Sequence, residues 1–195
     1  MPQRKALVLA SSSPYRRQLL DRLGLDYVAD SPEIDETPHR SESPAAYVAR
    51  LAEEKARAVA ERHPGALIIG SDQACVRDGE ILGKPGTLER AHQQLLAASG
   101  RTVLFTTAVC LLDTDANEAC GDVVTFRVRF RTLDDAAVQR YLEREPAVDA
   151  AGSFHSEAYG ITLFESMDGS DPTALVGLPL IALCRLLRQA GLQLP

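Results

Sequence analysis

Short apolar runs alternate with proline-opened amphipathic stretches along this chain, and that alternation restricts the fold more than any other feature. "ALVLA" (6–10) and "ALIIGSD" (66–72) read as buried strands. After the first comes "SSSPYRRQLLDRLG", in which Ser13 suits an N-cap, Pro14 the first helical position, Leu19, Leu20 and Leu23 an apolar stripe, and Gly24 the stop. Ser43 and Pro44 open a second helix in the same way, running to about His63. "LDYVAD" reads as a strand, "TLERAHQQLLAAS" as a helix closed by Gly100, and "TVLFTTAVCLLD" with "DVVTFRVRF" as a hairpin of longer strands. Thr132 with Asp135 has the signature of a capping box. "AAGSFHSEAYGITLFESMDGSDP" reads as a loop with a short strand, and "LPLIALCRLLRQAG" as a closing amphipathic helix. Strands and helices that interleave without a repeat or an obvious linker predict a single α/β domain over residues 1–195.

Composition narrows the functional classes. Apolar residues make up 45% and charged residues 25%, the balance of a folded globular protein rather than a disordered one. No apolar run approaches the roughly 20 residues of a membrane helix. The apolar part of "MPQRKALVLASSSP" is too short for a secretory signal, so no membrane partner and a cytoplasmic address are expected. Cys75, Cys110, Cys120 and Cys184 are scattered without a CxxC pair, which predicts reduced packing residues. A net charge of −6 argues against nucleic acid as a partner. Any anionic ligand must be held by a local cluster of cations.

Several residues stand where elementary energetics disfavours them. In "IIGSDQ" a carboxylate, Asp72, closes the apolar run, and burying it is costly unless a cation, a metal or a proton compensates. Lys55 falls on the apolar face of the second helix, seven residues after Val48 and four before Val59, where it needs an anion unless its stem packs and its ammonium reaches water. The small residues of "ASSSPYRR" leave backbone N–H groups at a helix start, which suits a phosphate, and Arg16 lies near that helix's inward stripe. An ordinary capped helix with solvated arginines fits the same letters, but the GxxxxGK[ST] loop is absent. "LGKPGT" sets Lys84 in a stiff turn, where a solvated lysine is the plainer reading. "EIDET" supplies Glu33, Asp35 and Glu36, hard oxygen ligands for Mg or Mn or simply a solvated acidic loop. "RVRFR" alternates arginines with Phe126, Val128 and Phe130, the period of a half-buried strand with a polar outer face. Taken together, one carboxylate at a strand end, an acidic loop and three cations suit metal-assisted attack of water on a polyphosphate.

The segments "LASSSPYRRQLL", "EIDETP", "VARLAEEKA", "IIGSDQ", "GKP", "AGSF" with "SEAYG", and "LVGLPL" resemble, in order and over almost the whole chain, the Maf family of nucleoside triphosphate pyrophosphatases. The resemblance implies an elongated α/β, Maf/ITPase-like fold with a twisted mixed sheet and a cleft between two lobes. It also implies cleavage between the α and β phosphates, with a nucleoside triphosphate as the partner molecule and a divalent metal as cofactor. Carried over position by position, Asp72 corresponds to the catalytic base and Ser11, Arg16, Lys55 and Lys84 to the phosphate-handling group. Glu36, with Asp72, corresponds to the metal or water partner. "GSDQ" and "SEAYG" are similar to the branch acting on 7-methyl-GTP; the branch acting on dTTP and UTP has Thr after the aspartate and Gln at the position of Glu157. Methylation at N7 makes guanine a cation, for which Tyr15 offers a π face, Glu157 an acceptor for the N–H edge, and Gln73 a third wall. Tyr15 replaces the tryptophan of that branch, and its smaller ring attracts a cation less. Other standard or modified nucleotides, and a non-catalytic protein that restrains cell division, are the alternatives. The assembly is left open, a homodimer included.

Overall fold

The most apolar runs of the sequence form the spine of the molecule. The computed structural model describes residues 5–194; the first four residues, part of the segment read for a leader, and Pro195 lie outside them. In chain order the elements are β1 (Ala6–Ala10), α1 (Pro14–Asp21), β2 (Val28–Asp30), α2 (Pro44–Ala60), β3 (Ala66–Arg77), β4 (Glu80–Leu82) and α3 (Leu88–Ala98). There follow β5 (Thr102–Asp113), β6 (Glu118–Phe130), α4 (Asp135–Arg144), β7 (Phe164–Asp168) and α5 (Leu180–Gln189). Two 3-10 turns span Tyr159–Leu163 and Pro172–Val176. Among the described residues no helix is long and apolar enough to cross a membrane.

One seven-stranded mixed sheet runs in the order β2-β1-β3-β5-β6-β7, with β4 added to β3. β1 is parallel to β2 and β3, and every other pairing is antiparallel. On one face α2 packs Val48, Ala52, Ala56 and Val59 against Val8, Ile68, Ala108 and Cys110. On the other, α1 and α5 bring Leu19, Leu20, Leu183 and Leu187 onto Leu7, Leu9, Ile69 and Leu111. A third cluster, with Phe105, Phe130 and Phe154 at its centre, joins the far halves of β3, β5 and β6 to α3 and α4. The long strands thus link two lobes, one built around α1, α2 and α5 and the other around α3 and α4.

The arginine-rich strand behaves as its period predicts: Phe126, Val128 and Phe130 are buried, while Arg127 and Arg129 pair outside with Asp168 at 3.2 Å and Glu165 at 3.4 Å. Three expectations change. β3 does not close at Asp72 but continues to Arg77 and returns as β4 through Asp78 and Gly79, whose φ values of 52° and 85° match a two-residue hairpin turn. The helix after β6 is capped by Asp134, whose side chain accepts from Ala137 N at 2.8 Å, and not by Thr132. Cys75 and Cys110 are buried packing residues, but Cys120 is exposed.

Candidate active site

The site begins with a gap in the sheet. β1 covers the edge of β3 only as far as Ile69, and β4 resumes beside it at Cys75. Between them Gly70–Ala74 lacks a neighbouring strand on that side, while β5 pairs along the other. A cavity of about 740 Å³ opens there, walled by Ser11–Arg16, Glu36 and Lys55 from one lobe and by Ile81–Lys84 and parts of 149–157 from the other. All nine residues that the family resemblance assigns to a site line it. Asp72 is therefore not a strand end but the middle of an edge left bare.

The pleat decides who meets Asp72. Ile68, Ala74 and Val76 face α2, and Asp72 shares their side by the two-residue period. Lys55 projects from the face of α2 that also buries Val48, Leu51 and Val59. A Cβ at position 70 would overlap the Ala52 carbonyl oxygen, so only glycine lets α2 approach this closely. Lys55 Nζ then lies 2.6 Å from Asp72 Oδ1 and 2.7 Å from Glu36 Oε1. Both Lys55 and Asp72 are 6% exposed, so the lysine does not reach out to water. Burial pushes the Asp72 carboxyl above the ordinary carboxylate range, and the nearby Lys55 and Arg16 charges pull it part of the way back.

Glu36 reaches the ammonium because its loop is tied to α2. Tyr47 Oη donates to Glu36 O at 2.9 Å, and Arg50 Nη2 donates to Thr37 O at 3.2 Å. Glu33 and Asp35, grouped with Glu36 in the sequence, do not line the cavity; Asp35 Oδ1 accepts from Thr37 N at 2.9 Å.

Arg16 is aimed by a turn far away in sequence. Its Nε–H donates to Gly177 O at 2.8 Å. Gly177, at φ +117°, ends the Pro172–Val176 turn. Ser71 Oγ lies 3.0 Å from the same carbonyl, and Gln73 Nε2 donates to Ala174 O at 2.7 Å and lies 3.0 Å from Leu175 O. Gln73 thus ties β3 to the turn that holds Arg16, while the single Ser71 hydroxyl hydrogen is nearer Ala108 O, at 2.7 Å. The N–H groups of "SSSP" are less open than the sequence suggests: Ser11 Oγ accepts from Ser13 N at 3.1 Å, and Ser13 Oγ from Arg16 N at 3.4 Å. Lys84 is exposed on the cavity wall.

At the other end of the cavity, Tyr15 stacks on His155 with ring centroids 5.6 Å apart. Glu157 is exposed and accepts from Ser156 Oγ at 3.1 Å. Tyr47, Ser71, His155 and Gly177 all escaped the sequence reading as site residues. The segments "IIGSDQ" and "LVGLPL" contain Ser71 and Gly177, but the sequence gives neither residue a role.

The cavity suits a polyanion and a hard cation. Glu36 and Asp72 meet on one ammonium, so both carboxylates lie within reach of a single positive centre. The described residues contain no group of three or more His, Cys, Asp or Glu able to cage a metal. Two carboxylates completed by ligand oxygens is a common arrangement for Mg²⁺, and Glu36 and Asp72 fit it.

Residues 6–190 match the family described as Maf-like protein. A 7-methyl-GTP pyrophosphatase of Alcanivorax borkumensis is 52% identical over 193 residues, 99% of this chain and 98% of the relative. One of Xanthomonas oryzae is 55% identical over 189 residues, 97% and 98% of the two chains, and one of Pseudomonas syringae is 52% identical over 190 residues, 97% and 99%. With a family match over residues 6–190 and relatives more than 50% identical over nearly the whole of both chains, the chain belongs to the Maf family.

Proposed function

We propose that this protein hydrolyses 7-methyl-GTP to 7-methyl-GMP and pyrophosphate by attack of water on the α-phosphorus. Asp72 removes a proton from the water as its oxygen bonds to phosphorus; the bond to the bridging oxygen breaks, and the electron pair leaves with pyrophosphate. Desolvation makes Asp72 a stronger base than an exposed carboxylate, while Lys55 keeps enough of it ionised to act. Arg16, Lys55 and Lys84 offset the charge gathering on the departing group, with Ser11 beside them at the end of β1. Glu36 and Asp72 are the residues that would hold Mg or Mn, which supplies positive charge against the triphosphate. Tyr15, Gln73 and Glu157 receive the base. A nucleotide substrate also supports a cytoplasmic address.

The observation that carries this reading is the Lys55 ammonium shared by Asp72 and Glu36 on the wall of a cavity that also holds Arg16. A restraining protein without catalysis has no use for that array. The test is pyrophosphate release by purified protein from a panel of nucleotides with and without a divalent cation. The expected result is release from 7-methyl-GTP that stops on chelation and resumes when Mg or Mn is restored. Equal rates on GTP and 7-methyl-GTP would leave the reaction standing and remove the base preference. Such broader use is the second reading, and Tyr15, a weaker cation–π partner than tryptophan, is what favours it.

A further inference from the structure

We propose that His155, oriented by Glu145, is a specificity-determining positioning residue whose ring backs Tyr15 and fixes the plane on which a 7-methylated base stacks. This inference rests on the substrate reading above. Tyr15 lies in the first turn of α1 and His155 in the loop preceding the Tyr159–Leu163 turn, so the pair joins the two lobes across the cavity that both line. Their rings are offset-stacked at 28°. The imidazole stacks on one face of the half-buried Tyr15 ring, which also lines the cavity where a ligand would meet it.

His155 is itself held. Its Nδ1 lies 2.8 Å from Glu145 Oε1, and because an ionised carboxylate can only accept, Nδ1 carries the hydrogen and donates it. Nε2 is buried without a hydrogen-bond partner, 3.8 Å from Asp149 Oδ1. Burial raises the pKa of the Tyr15 hydroxyl, and Asp149, Glu157 and Glu145 raise it further, so the ring lies in a negative field. That field draws a cationic base and is nearly indifferent to a neutral guanine. A ring already fixed in place also loses less freedom when the base arrives.

The test compares kcat/KM for 7-methyl-GTP and GTP. His155→Ala is expected to lower the ratio of the two about fivefold, with KM for 7-methyl-GTP carrying the change. His155→Phe keeps a flat ring and is expected to restore most of the ratio. An unchanged ratio in His155→Ala, or an equal fall in kcat with both nucleotides, overturns the brace. A second readout needs no turnover. The chain has no tryptophan, so Tyr15→Trp introduces a single indole. Adding His155→Ala to that background is expected to raise the acrylamide quenching constant about twofold as a ring face opens; unchanged quenching overturns the proposal. If the wild-type protein hydrolyses neither nucleotide, the substrate reading fails and the quenching result alone decides on the brace.

Discussion

The two ends of the cavity are built differently. At the end proposed to take the phosphates, three ionic groups stand on regular elements: Lys55 on α2, Asp72 in the middle of β3 and Arg16 on α1, with the Lys55 and Asp72 side chains only 8% and 9% exposed, while Glu36 and Lys84 reach in from exposed loops. At the end proposed to take the base, Tyr15 is on a helix, but His155 and Glu157 stand on the irregular stretch before the Tyr159–Leu163 turn, and Glu157 is exposed. Rigid elements hold charged groups to within a fraction of an ångström, which bond cleavage needs; a loop can change its side chains without disturbing the sheet. The account therefore assigns reaction type to the phosphate end and substrate choice to the base end.

Changes at the phosphate end should weaken turnover of every nucleotide alike. Lys55→Met leaves Asp72 buried without its main partner, and is expected to lower kcat/KM at least about 100-fold and stability by about 3–5 kcal/mol in urea denaturation. It also moves the pH profile. As the proposed base, Asp72 would act when ionised, so activity is expected to rise with pH through its pKa, which burial sets above the ordinary carboxylate range; removing the lysine charge is expected to shift that rise to still higher pH. A rise at the same pH in wild type and variant would separate Asp72 from the rate. Next in size, Gly70→Ala drives a methyl group into the Ala52 carbonyl and pushes α2 away from β3, with a stability loss of about 1–3 kcal/mol and slower turnover of both nucleotides.

The base end should respond in the opposite manner, through the ratio of substrates. Glu157→Gln is expected to reduce kcat/KM for 7-methyl-GTP about fivefold to tenfold and to affect GTP less. A uniform effect on both would break the division of labour. Smallest of all, Tyr15→Trp should tighten 7-methyl-GTP about twofold to fivefold, read from KM in the same assays.

How much of this was legible in the sequence follows the same division. Lys55 and Asp72 stood out because an ion on an apolar period is visible in one segment at a time. Their partnership was not, since it depends on Gly70 admitting α2. Asp72 looked like a strand end because an isolated acid is costly inside a sheet; with Lys55 beside it the strand continues, and the Asp78–Gly79 turn was the overlooked signal. Thr132 lost the cap to Asp134 for a tertiary reason: Leu133 is buried and its N–H donates to Ser99 Oγ at 2.7 Å, which keeps the chain extended until Asp134. Gly177 meets Arg16 through a backbone carbonyl and His155 meets Tyr15 through a ring stack, neither of which leaves a local pattern. Arg16 and Gly177 are 161 positions apart.

Single-turnover hydrolysis of 7-methyl-GTP and GTP by Asp72→Asn probes the central claim most directly, because the amide keeps the shape of the carboxylate and removes its basicity. The account predicts a loss of about 1,000-fold with both nucleotides, with binding largely retained. Turnover at the wild-type rate, or a loss confined to one nucleotide, would contradict it.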